Sequence, residues 1–304
     1  AGADAGALDE AVANAHLALL DNEEGANDSA LNRMIQALLK IEAVGNSRWE
    51  APFHVNLATI DCERGNFNEA MRHYERAVEL ARRRGDVRTE AKARGNMGIV
   101  AYQLGDIERS RRELEATLAV AREVGDQRLE GVVLGNLSLI DRQQGRLRES
   151  AQGYMTALKI ACALGDRRSE GIALGHLGSL RRELGEFDDA LEGMQAALSI
   201  AGELGDARWQ GYWHKEIAML HTLCANAERA HEHFAKAEAR LREVCDPYWL
   251  ALALCEHAHL HIDQSQHAKA QTLANEAHAL SVDLELSPDS ELSRALHELH
   301  RRSG

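Results

Sequence analysis

The sequence predicts an all-α solenoid of about seven helix pairs closed by a C-terminal capping helix, and three observations carry that prediction. Gly-Asp falls at 85–86, 125–126, 165–166 and 205–206, forty residues apart each time, with Gly45-Asn46 before the series and Cys245-Asp246 after it. A second glycine series, Gly25, Gly65, Gly105, Gly145 and Gly185, runs midway between, and Ala225 and Ser265 hold its phase later. Ala and Leu dominate the apolar residues, aromatics are only 4%, and no long stretch alternates apolar and polar residues as a strand does.

Each glycine reads as a helix stop, because Gly enters the left-handed conformation of a helix C-terminus without steric cost. The Asp or Asn that follows reads as a start, since its side chain can accept from a free backbone N–H of the next helix. Two stops per forty residues make helices of about seventeen residues, and the short turns force neighbours antiparallel. The repeats are placed at 8–44, 48–84, 88–124, 128–164, 168–204, 208–244 and 248–284. The first and the last two are degraded, as terminal repeats tend to be. Residues 288–302 open on Pro and an Asp/Ser cap signal and then run helical, which predicts the capping helix. No linker interrupts the array, so residues 1–304 read as one solenoid.

Packing follows from the small residues. The first helix of each pair is small at Ala18, Ala58, Gly98, Ser138, Gly178, Ala218 and Ala258. The second is small at Ala30, Ala70, Ser110, Ser150, Ala190, Ala230 and Ala270, and again seven residues later in each repeat. A bulky residue lies between those two phases: Met34, Tyr74, Leu114, Tyr154, Met194 and Phe234. Leu17, Leu57, Met97, Leu137, Leu177 and Ile217 are the expected apolar partners. The set Gly-Asp-x-Arg-x-Glu, with Arg88, Arg128, Arg168 and Arg208, is expected to be structural.

This pattern resembles the tetratricopeptide repeat, whose apolar-small pair and small, large, small spacing sit here as Leu177-Gly178, Ala190, Met194 and Ala197. The usual Tyr of the first helix is replaced by Asp141 and Arg181, and the period is forty rather than thirty-four. The longer period is similar to that of Pins-type adaptors, kinesin light chains and the sensor regions of bacterial maltose-regulon-type activators. The resemblance covers about residues 8–284 and implies a right-handed superhelix whose first helices line a concave groove.

One phase of those first helices reads Asn56, Asn96, Asn136, His176, Glu216 and Glu256. An Asn amide both donates and accepts, so it can bond an extended peptide backbone; the resemblance implies that role at this phase. The same series can instead hydrogen-bond between adjacent first helices. Lys92 one turn before Asn96 resembles part of a clamp for a C-terminal carboxylate, but Ile172 and His176 stand where its third element belongs. Tyr102, Arg142 and Arg182 lie deeper, and the two arginines can pair with acidic ligand side chains. The expected groove residues are therefore Asn56, Lys92, Asn96, Tyr102, Asn136, Arg142, His176 and Arg182.

The formal charge of −13 argues against a nucleic-acid partner, because an acidic surface repels a phosphate backbone. No run of eighteen apolar residues suggests a membrane span, and no signal peptide is evident. Five cysteines without a CxxC pair read as free thiols in a reducing cytoplasm. His257 and His261 share a helical face, as do Cys255 and His259, and two such ligands can begin a zinc site. Without an HExxH the expected reading is surface histidine or an interhelical bond, with no metal and no cofactor. No GxSxG, phosphate-cradling loop or nucleophile–base pair is present, so no catalysis is expected.

The leading expectation is a cytoplasmic scaffold that binds a protein or peptide in its groove. The second is a sensor or autoinhibitory region of a larger bacterial signalling or transcription-regulating ATPase, with Ala1 in place of an initiator methionine as its motive. Degraded terminal repeats suggest a third, self-association through the array ends.

Overall fold

The computed structural model describes residues 2–23, 26–44 and 47–303, so Gly25 and Gly45-Asn46 lie outside the described residues. The described residues form helices in tandem antiparallel pairs. The first pairs are α1 (Gly2–Glu23) with α2 (Asn27–Val44), α3 (Ser47–Glu63) with α4 (Phe67–Arg84), and α5 (Val87–Leu104) with α6 (Ile107–Glu123). There follow α7 (Gln127–Gln143) with α8 (Leu147–Leu164), and α9 (Arg167–Glu183) with α10 (Phe187–Glu203). The last pairs are α11 (Ala207–Leu223) with α12 (Ala227–Glu243), and α13 (Pro247–Asp263) with α14 (His267–Ser281). A 3₁₀ turn at Val282–Leu284 leads to α15 (Glu291–Ser303), which packs on α13 and α14 as the cap.

The stops and starts are built as their chemistry requires. Gly65 through Gly205 in both series have positive φ. Ala225, Cys245 and Ser265 hold the same left-handed conformation without being glycine. Asp86, Asp106, Asp126, Asp166, Asp206, Asn226 and Asp246 each accept from the backbone N–H three residues on.

The same aspartates tie neighbouring repeats together. Arg128 Nε donates to Asp166 at 2.7 Å, Arg168 Nη2 to Asp206 at 2.6 Å, and Arg208 Nε lies 2.9 Å from Asp246. Arg128, Arg168 and Arg208 therefore each reach the capping aspartate of the next repeat.

The small positions are buried as packing demands: Ala30, Ala70, Ser110, Ser150, Ala190 and Ala230 are fully covered, and Met34, Tyr74, Leu114, Tyr154, Met194 and Phe234 fill the space between them. Leu17 departs from the expected series. It is 43% exposed while Leu57, Met97, Leu137, Leu177 and Ile217 are buried, and among the described residues no helix pair packs on that side of α1.

The superhelix turns tightly enough to meet itself. Glu63 at the end of α3 pairs with Arg208 at the start of α11 at 2.7 Å. The Phe67 ring stands edge-on to Tyr248 at 5.6 Å, and Asn68 Nδ2 donates to Glu285 at 2.5 Å. One apolar core runs from Val55 and Tyr74 across this junction to Tyr248, Leu292 and Leu299. The concave face is thus a lumen with walls on all sides of the array.

Candidate functional site

The lumen has a volume of about 730 Å³. It crosses the first helices of the pairs diagonally. On α3 and α5 it meets the C-terminal halves, at Thr59, Cys62, Glu63, Asn96, Ile99, Tyr102 and Gln103. It follows α7 and α9 through Asn136, Leu139, Arg142, Ser169, Ile172 and His176, and it reaches the N-terminal halves of α11 and α13 at Trp209, Tyr212 and Trp249, with Glu216 near the middle of α11. Tyr74 and Tyr154 enter from second helices, and Glu291 and Arg294 from the capping helix.

This diagonal decides which expected residues share the site. Asn96, Tyr102, Asn136, Arg142 and His176 all line it. Asn56 does not, because on α3 the lumen has moved a turn nearer the C-terminus, to Thr59. Lys92 is exposed and outside it for the same reason on α5, so a carboxylate clamp of Lys92 and Asn96 is not assembled. Arg182 is also displaced: its Nη2 lies 3.2 Å from Glu216 and its side chain is 10% exposed, behind the lumen wall.

Aromatic rings form the far wall. His176 stacks on Tyr154 at 5.3 Å and meets Tyr212 and Trp213 edge-on at 5.7 and 5.2 Å. Trp209 stacks on Trp213 at 5.3 Å, and Tyr212 stands edge-on to Trp249 at 4.7 Å. Trp209, Tyr212 and Trp249 were not among the expected site residues. The available signal was the crowding of aromatics between 209 and 249 in a chain otherwise poor in them.

Beneath the rings lies a buried ionic network. Glu216 accepts from Ser179 Oγ at 2.8 Å and pairs with Lys215 Nζ at 2.7 Å, and Lys215 Nζ also sits 4.7 Å from the centre of the Tyr212 ring. Burial opposes charge on Glu216, but Lys215, Arg182 and Arg142 outweigh it and hold the carboxyl well below its ordinary range. Arg142 pairs with Glu183 at 2.6 Å. Burial works against its charge too, and Glu216 and Glu183 more than restore it. Both arginines expected to face an acidic ligand are therefore already paired within the chain.

Burial pushes the His176 imidazole down to about 3, with Arg142 adding to the effect, so it is neutral near pH 7. His176 Nδ1, Tyr154 Oη and Gln143 Oε1 are buried at the lumen and have no hydrogen-bond partner in the protein. No catalytic pair of nucleophile and base is assembled among these lining residues.

Among family models, tetratricopeptide repeat models match residues 89–163 and 55–84, and one of anaphase-promoting complex subunit 5 matches 167–215. No curated protein matches the sequence. Among solved structures, a Rap protein complexed with competence and sporulation factor is similar at a TM-score of 0.74 and 15% identity, covering 90% of this chain and 76% of that one. The Rap conjugation gene regulator of plasmid pLS20, in complex with the Phr* peptide, is similar at 0.71 and 14%, covering 90% and 76%. A signal transduction ATPase with a tetratricopeptide repeat sensor, from Pyrococcus horikoshii, is similar at 0.57 and 17%, covering 96% of this chain and 47% of that one. At these identities the structures speak for the fold alone. Helix pairs with a forty-residue period, small residues at their crossings and the matched repeat models make this chain a tetratricopeptide-type repeat protein.

Proposed function

We propose that the chain is a non-catalytic binding module that holds an extended peptide segment in its lumen. One observation carries this reading: Asn96 and Asn136, whose side-chain amides both donate and accept, line a lumen walled by Trp209, Tyr212 and Trp249.

Charge favours a neutral ligand backbone over an acidic side chain, since Arg142 and Arg208 are already paired. The Rap complexes with competence and sporulation factor and with the Phr* peptide support the same use of this architecture.

A second reading makes this binding the sensor step of a larger bacterial signalling ATPase, and likeness to an ATPase carrying a tetratricopeptide repeat sensor favours it. Both readings place the chain in the cytoplasm with a protein or peptide partner, without nucleic acid or membrane. No helix of the described residues is long and apolar enough to cross a membrane. A third reading is self-association through the array ends, with Leu17, Leu20 and Leu39 exposed on the first pair; an unchanged monomer mass in light scattering across a hundredfold concentration range refutes it.

The test of peptide binding is selection from a random library of amidated peptides against the wild type and against Asn96→Ala with Asn136→Ala. The reading expects peptides whose affinity falls at least about tenfold in the double variant, at unchanged helicity. Equal affinity for both proteins refutes a lumen site.

A further inference from the structure

Outside the lumen, three histidines converge between α12 and α13. His231 comes from α12, and His257 and His261 lie one turn apart on α13. One ring nitrogen from each falls within 4.8 Å of the other two. His231 and His257 are partly buried and His261 is buried.

The remaining ring nitrogens decide what this cluster can do. His257 Nδ1 lies 2.6 Å from Glu238 Oε1, His261 Nδ1 lies 3.0 Å from Gln266 Oε1, and His231 Nε2 lies 2.9 Å from Gln264 Oε1. Gln266 Nε2 donates to Gln264 Oε1 at 3.1 Å, which orients both amides with their oxygens toward the rings. Each of these ring nitrogens meets an oxygen that accepts a ring proton, which leaves the other nitrogen of each ring free to ligate. His231 Nδ1 stands 2.8 Å from His257 Nε2, and their lone pairs repel unless a proton or a metal ion lies between them.

Elsewhere in the array this interface is built differently. Three repeats earlier, Arg111 pairs with Asp141 and Gln144, and Leu118 and Leu137 share an apolar cluster. The corresponding positions here are His231, His261, Gln264, Glu238 and His257. An ion pair and an apolar contact have given way to three imidazoles and the oxygens that orient them. A ligating histidine whose other N–H is held by a carboxylate or carbonyl oxygen is the usual build of a zinc site.

We propose that His231, His257 and His261 bind one Zn²⁺ and leave its fourth position to solvent. Zinc at about 2.0–2.1 Å from each nitrogen sets tetrahedral ligands about 3.4 Å apart, so the His231–His257 pair opens slightly and His261 closes in. Among the described residues no other histidines bring three ligand atoms this close. His54 meets only His73, His233 lies between His214 and His221, and His259 Nδ1 faces the Arg302 guanidinium at 2.6 Å. The ion would pin α12 to α13, the helix whose N-terminal end supplies Tyr248 and Trp249 to the junction and lumen.

The whole chain, stripped with chelator and dialysed, is titrated with ZnCl₂ against a chromophoric competitor, and separately with CoCl₂. One equivalent of zinc and the visible absorption of four-coordinate cobalt are expected. His231→Ala with His261→Ala should weaken zinc binding at least about hundredfold, and Glu238→Gln should weaken it about 10–100-fold with the cobalt spectrum retained. Circular dichroism without metal checks that each variant is folded; if the double variant is not, Glu238→Gln decides. Failure of the wild type to bind an equivalent of zinc overturns the site, and so does wild-type affinity in the folded variants.

Discussion

A Cβ built on Gly175 would stand 2.6 Å from Cζ3 of Trp213, closer than carbon atoms can sit without something moving. Trp213 is 1% exposed and wedged between Trp209 and His176, so the ring has nowhere to go. The missing side chain on α9 is what lets the aromatic wall of α11 stand against it.

Gly175→Ala should therefore destabilise the fold. Overpacking a filled core costs about 1–3 kcal/mol, and better helix propensity returns about 1 kcal/mol. A net loss of up to about 2 kcal/mol in urea unfolding, with weaker peptide binding, is the expected result. Equal stability would mean the tryptophan rearranges freely.

Ala225, Cys245 and Ser265 sit at φ of 55°, 50° and 59°, where earlier repeats use glycine. A side chain in that conformation costs about 1–2 kcal/mol, of which greater unfolded-state freedom of glycine takes back about 0.5–1 kcal/mol. Each substitution to Gly should raise stability by about 0.5–1 kcal/mol and move the melting temperature up. A fall in melting temperature would contradict the strain.

Glu216 is 3% exposed and is the shared partner of Lys215, Arg182 and Ser179. Glu216→Ala leaves two cations buried without it, and breaking such a network costs about 3–5 kcal/mol. Denaturant unfolding of the variant at pH 7 measures this; a loss below about 1 kcal/mol would show the cations reach solvent.

Two buried histidines should weaken the fold as pH falls from about 6.5 to about 4. Burial pushes His54 down to about 4, with His73 and Arg76 adding to it, and pushes His214 to about 4 beside His233, Lys236 and Arg240, with Glu232 opposing. The unfolded chain takes up these protons near pH 6.5 and the folded chain only near pH 4, so stability rises with pH across that window. It is complete above about pH 6.5 and lost as pH falls through about 4. His54→Gln with His214→Gln should flatten the profile of urea midpoint against pH between those values; an unchanged slope would refute the assignment.

How far the sequence reached differs between fold and site. The forty-residue spacing of glycines and aspartates sufficed for the helix pairs, because stops, caps and small crossings are local chemistry repeated in register. Asn96, Asn136 and His176 were legible as one phase of that register. Asn56 and Lys92 were placed by the same logic and fell outside the lumen, and Trp209 and Trp249 fell inside it.

By itself, then, the sequence determined what each repeat is: two helices, where each begins and ends, and which faces meet. The tertiary structure alone decided where the repeats look. Small rotations between successive pairs accumulate until Glu63 reaches Arg208, tilting the lumen across the helices so that no single phase can line it from end to end. That sum of rotations depends on every crossing at once, and no one repeat carries it.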